Sequence, residues 1–108
     1  MTKLWLIIAI LACFGTAAWA LSIFDIQYTL TPGIDNTYPS LYVGRLVSLE
    51  GIVTATGYRD GGFFISESTG GPYRGILILD RSSSVHIGDK IQVTGTVSES
   101  YGMTCLRD

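Results

Sequence analysis

The chain has 108 residues, 47% of them hydrophobic, with 7 basic and 9 acidic side chains and a net charge of −2. That length holds one domain at most. The acidic excess and the lack of any basic run argue against tight non-specific nucleic-acid binding, which draws on phosphate contacts, and against docking on anionic membranes.

Residues 1–20 read as a helical secretory signal peptide. Lys3 supplies the positive start, and Leu4 to Phe14 form an apolar run of 11 residues. Ala18-Trp19-Ala20 places small residues at the cleavage positions. The run is shorter than the about 20 apolar residues of a membrane span. Extended through Ala20 and Leu21 it reaches that length, so an uncleaved anchor is the alternative. Cys13 after Leu11-Ala12 gives a weaker lipoprotein reading. The expectation is export to the periplasm or the medium, with no stable membrane insertion after cleavage.

Cleavage after Ala20 would leave 88 residues with 6 basic and 9 acidic side chains, a net charge of −3. The remaining thiol is Cys105, so no intrachain disulfide is available and the core must hold the fold. Cys105 lies between Thr104 and Leu106 and reads as a small buried hydrophobe. A catalytic thiol needs a base, and the single histidine, His86, lies in a loop with nothing linking the two.

Residues 21–40 form a lead-in. In Ser22 to Thr31, Phe24, Ile26, Tyr28 and Leu30 alternate with more polar positions, which predicts an extra strand or an extended segment. Pro32-Gly33, Asp35-Asn36 and Pro39-Ser40 then mark a turn-rich connection.

Residues 41–108 carry the β pattern. Val47, Leu49, Gly51, Val53 and Ala55 share one parity and are expected to face a core. Gly57 to Gly62 reads as a hairpin loop, with Asp60-Gly61 its strongest signal. Phe63 and Ile65 alternate with Phe64 and Ser66. Thr69 to Pro72 is a turn, and Gly75 to Asp80 is a continuous apolar run of strand length. In Gly88 to Gly102, Ile91, Val93, Gly95 and Val97 alternate with polar residues. Met103 to Leu106 closes the set. Five strands are expected, at 44–57, 62–68, 74–80, 89–99 and 102–107, with no helix outside residues 1–20. Regular turn signals imply a sandwich or barrel. Inward Gly51 and Gly95, each within a long strand, mark places where a small barrel bends a strand. The reading is an all-β, five-stranded Greek-key barrel of OB type.

Three stretches carry a resemblance: LVSLEGIVTA (46–55), GFFIS (62–66) and GDKIQVTGTVSESYG (88–102). Together they resemble an OB-fold module of secreted bacterial proteins, of the kind found beside extracellular nuclease (endonuclease/exonuclease/phosphatase) domains. The resemblance covers about residues 41 to 106 and implies a fold more than a function. No catalytic residue of those nucleases carries over to this sequence.

OB barrels bind ligands on the face of the second and third strands, between flanking loops. Stacking needs aromatics, and phosphate binding needs cations. The candidates are Tyr58 and Arg59 in the first hairpin, outward Phe64, Tyr73 and Arg74 before the third strand, and Tyr101 in the last hairpin. Asp80, Asp89, Glu67 and His86 lack metal-ligand spacing. Glu67 and Glu99 could face one another across strands, but no cleft is evident for a carboxylate pair. The expectation is therefore a non-catalytic exported module without cofactor or metal, binding single-stranded nucleic acid or an oligosaccharide. The alternatives are a protein-interaction module, using a barrel edge or Ser22–Thr31, and an accessory domain of a separate secreted nuclease.

Overall fold

The computed structural model describes residues 21–80 and 84–107. The signal-peptide segment, residues 1–20, lies outside the described residues. No helix among those described is long and apolar enough to cross a membrane.

The described residues are mostly β, with five strands in one sheet. They are β1 (Leu46–Tyr58), β2 (Gly62–Ser66), β3 (Gly75–Leu79), β4 (Lys90–Ser100) and β5 (Met103–Arg107). Each strand has two neighbours, and the pairing closes on itself in the order β1-β2-β3-β5-β4. All pairs are antiparallel except β3 with β5.

The two inward glycines sit where a long strand changes partners. β1 pairs with β4 from Leu46 to Ile52, and with β2 from Ile52 onward. Gly51 lies at that switch, and a Cβ there would meet the Ser66 carbonyl oxygen at 3.0 Å. β4 pairs with β1 up to Thr96 and with β5 from Thr96 on. Gly95 lies at that switch, and a Cβ there would come within 2.6 Å of the Arg107 carbonyl oxygen. A glycine lets the backbones approach where the sheet turns the corner.

The interior follows from the alternation. Val47, Leu49 and Val53 meet Phe63, Ile65, Ile76, Ile78, Ile91, Val93, Val97 and Leu106 in one buried cluster. Burying side chains of this size contributes about 1.5–3 kcal/mol each. One expectation fails at the end of β1. Ala55, which the alternation places inward, pairs with Phe64, whose neighbours Phe63 and Ile65 fill the core. The register shifts between Val53 and Ala55, and again before Tyr58. Each bulge adds a residue to β1 and turns the following side chain to the other face. Ala55 and Tyr58 therefore join Phe64 outside.

The lead-in is corrected more strongly. Residues 22–31 are neither strand nor wholly extended, since Ile23–Gln27 is a short helix, α1. Ser22 Oγ accepts from the Asp25 N–H, and the Asp25 carboxylate accepts from the Ser22 N–H, a complete capping box. Ile23 and Ile26, three apart on one helical face, are both 0% exposed and belong to the core cluster. Of the expected apolar face of a strand, Phe24, Ile26, Tyr28 and Leu30, Ile26 is buried in the core, Phe24 is half-buried, and Tyr28 and Leu30 are exposed.

Candidate ligand-binding site

The six candidate residues fall into two groups. Tyr58, Arg59, Phe64 and Tyr101 form the first. The bulges of β1 carry Tyr58 over the outer face of β2, where its ring stands edge-on to Phe64 with centroids 5.5 Å apart. Arg59 opens a single 3-10 turn, Arg59–Gly61, and its guanidinium carbon lies 5.6 Å from the Tyr101 ring centroid. The β1–β2 and β4–β5 connections are thus joined by one cation–aromatic contact.

Beneath them runs an apolar row that the alternation did not isolate. Phe64 pairs with Leu77, Leu77 with Cys105, and Cys105 with Ser98. Ile76 and Ile78 face the core, so Leu77 faces outward, yet Leu77 is buried. Cys105 is buried as well, and desolvation pushes its thiol above the ordinary range. A neutral thiol in that setting is a poor nucleophile. His86 is far more exposed, and its backbone N–H donates to Asp89 Oδ2 at 2.9 Å.

Tyr73 and Arg74 form the second group, with two residues that sequence reasoning left out of the site. Phe24 and Tyr28 stack with centroids 5.1 Å apart and planes 10° from parallel. Tyr73 stands perpendicular to both, at 6.2 Å from Phe24 and 5.2 Å from Tyr28. Arg74 is not a free cation. Its Nη1 donates to Glu67 Oε1 at 2.8 Å, and its guanidinium carbon lies 4.8 Å from the Phe24 centroid. The other Glu67 oxygen accepts the Phe24 N–H at 2.7 Å. Gln27 Nε2 adds a bond to the Gly75 carbonyl at 2.8 Å. One carboxylate thus fixes both Arg74 and α1.

Glu67 and Glu99 do not form a pair with each other in the hydrogen-bonding pattern. Glu99 Oε2 accepts from the Ser40 N–H at 3.1 Å and from the Thr104 hydroxyl at 2.6 Å. The two glutamates hold the two ends of the lead-in onto the sheet. Among the described residues, no group of three His, Cys, Asp or Glu side chains could hold a metal ion.

The signal for the missed residues is short but present. Ser22-x-x-Asp25 is a capping-box pattern, and Phe24 and Tyr28 are four apart, so a helix start would have put their rings side by side. No family model and no curated protein matches the chain.

Proposed function

We propose that the chain is an exported, non-catalytic binding module of OB type, and that its ligand is an oligosaccharide in preference to single-stranded nucleic acid. The strand order β1-β2-β3-β5-β4, closed on itself with one parallel pair, supports a five-stranded Greek-key barrel. The observation that carries the ligand choice is the state of Arg74, the cation beside the exposed rings. Arg74 is held by Glu67, and Arg59 stands against Tyr101. Glu67 takes up the charge of Arg74, so the turn beside Tyr73 offers a ring and little charge to phosphates, while Arg59 against Tyr101 keeps its charge. The net charge of −3 after residue 20 points the same way. A neutral ligand needs stacking surfaces and hydrogen bonds and no counter-charge.

The test is a titration of the full chain, in detergent, with fluorescent poly-dT at low and high salt and with neutral β-linked hexasaccharides. Sugar binding that is insensitive to salt supports the reading. Poly-dT binding that falls steeply with salt would replace it by the nucleic-acid reading.

One observation favours a protein partner instead. Leu30, Ile34, Leu41, Val43 and Leu46 are all exposed along the lead-in and the start of β1. Strand addition is the weaker route to such a partner, because the closed pairing leaves no open edge among the described strands. Cross-linking through a photoreactive residue at Ile34 in cells of the source organism would capture that partner.

A further inference from the structure

The rings of Phe24, Tyr28 and Tyr73 make a corner of two perpendicular aromatic planes, built by α1 and the β2–β3 turn. We propose that this corner is a subsite that seats one pyranose ring of a β-linked neutral oligosaccharide, with Tyr28 and Tyr73 as its two contact surfaces. The inference rests on the oligosaccharide reading above and names where that ligand sits.

Three observations distinguish the corner from ordinary packing. Tyr28 is 42% exposed and Tyr73 is 53% exposed, so each keeps ring surface open to solvent. Phe24 is half-buried between them and the Arg74 guanidinium, and serves as the anchor.

The second observation is the backbone of the turn. Gly70, Gly71 and Tyr73 all have positive φ, at 65°, 100° and 64°. The turn supplies glycine at two of its three left-handed positions and a bulky tyrosine at the third. A side chain in that region is strained where glycine is not. Strain held at an exposed position points to a role for the ring.

The third observation is rigidity. Glu67 bonds Arg74 with one oxygen and the Phe24 N–H with the other, and Gln27 ties α1 to Gly75. The rings are therefore set before any ligand arrives, which lowers the ordering cost of binding.

The chemistry matches one ligand class. A pyranose with equatorial substituents presents a flat face of C–H groups and an edge of hydroxyls. The face stacks on one ring while the edge meets the other, and the two phenol hydroxyls are donors and acceptors for the sugar. A polyanion fits poorly, because the nearest cation, Arg74, is committed to Glu67.

The experiment titrates the full chain in detergent with cellohexaose, chitohexaose, xylohexaose and mannohexaose by calorimetry. It compares wild type with Tyr73→Gly, Tyr73→Phe and Tyr28→Ala. Tyr73→Gly removes the ring and relieves the backbone, so the fold is kept and thermal unfolding confirms it. The expected result is binding of at least one hexasaccharide by wild type, retained in Tyr73→Phe and weakened at least tenfold in Tyr73→Gly and Tyr28→Ala. Wild-type binding that Tyr73→Gly and Tyr28→Ala leave unchanged would overturn the corner and leave the module reading standing. Wild type that binds none of the four sugars would overturn both.

Discussion

Gly95→Ala is the most direct perturbation of the closed sheet. A Cβ at this position falls 2.6 Å from the Arg107 carbonyl oxygen, 3.1 Å from its carbon and 3.2 Å from Leu106 Cγ. Comfortable heavy-atom contacts lie nearer about 3.5 Å. The obstacle is backbone, so rotating a side chain cannot relieve it. β5 must retreat from β4 where Thr96 pairs with Arg107 and Val97 with Leu106. Loss of one or two ladder hydrogen bonds costs about 1 kcal/mol each. Overpacking adds about 1–3 kcal/mol. Together these give a loss of about 2–5 kcal/mol, or on the order of 10–30 °C in Tm for a domain of this size. The assay is thermal and urea unfolding of the purified chain followed by circular dichroism. Gly75→Ala is the control. The nearest atom to a Cβ there is the Ile65 carbonyl oxygen, at 3.6 Å, and its φ is not in the left-handed region. That variant is expected to be neutral or stabilised by about 0.4–1 kcal/mol through the unfolded chain. A Gly95→Ala protein within about 0.5 kcal/mol of wild type, or a Gly75→Ala protein equally damaged, would refute the close-approach account.

Three further outcomes follow from named contacts. Ile26→Ala, at a side chain 0% exposed, is expected to cost about 2–5 kcal/mol in urea unfolding, which would show α1 to be part of the core and not a detachable arm. Tyr101→Gly, at a residue 91% exposed with φ 52°, is expected to leave Tm unchanged or higher, since it relieves a left-handed tyrosine; a clear drop would mean that the Arg59 contact matters more than the backbone. Cys105 titrates higher when folded than unfolded because burial disfavours its thiolate. Its contribution is therefore complete below the unfolded thiol range, near about 8.5, and is lost as pH rises through the folded value. Cys105→Ala is expected to be less stable than wild type at neutral pH and to show a shallower alkaline decline; parallel curves from pH 7 to 10 would remove the thiol from that slope.

Much of the fold was legible because five strands obey one simple rule. Alternation at Ile91, Val93 and Val97 placed β4, and the interrupting Gly95 marked its change of partner. The same reasoning held at Gly51. It failed where the register does. The first bulge after Val53 turns Ala55 outward and the second returns Tyr58 to the outward side that alternation gives it, and nothing in TATGY announces an extra residue except Gly57, whose φ is 79°. α1 was hidden for a different reason. Five residues span barely more than one turn, so a period of 3.6 cannot be told from a period of 2 over Ile23–Gln27. Only the capping box carried the distinction.

The candidate site was half legible for a related reason. Tyr73 and Arg74 could be found as residue types, but their roles depend on Phe24 and Tyr28, which lie 45 to 50 positions away in sequence. Glu67 shows how the partners decide the chemistry. Read alone, it was a possible half of a carboxylate pair. In place, it takes the charge of Arg74 with one oxygen and the N–H of Phe24 with the other. That single side chain removes the strongest phosphate ligand from the turn and, by the same bonds, holds two aromatic rings at a right angle to a third. A position that neutralises a cation while fixing exposed rings selects against charged ligands and for flat uncharged ones. Glu67→Gln should therefore loosen the corner and free Arg74 together, raising affinity for poly-dT at low salt while lowering it for a hexasaccharide. Opposite signs in the two titrations are what this account requires, and a fall in both would reduce Glu67 to a purely structural tie.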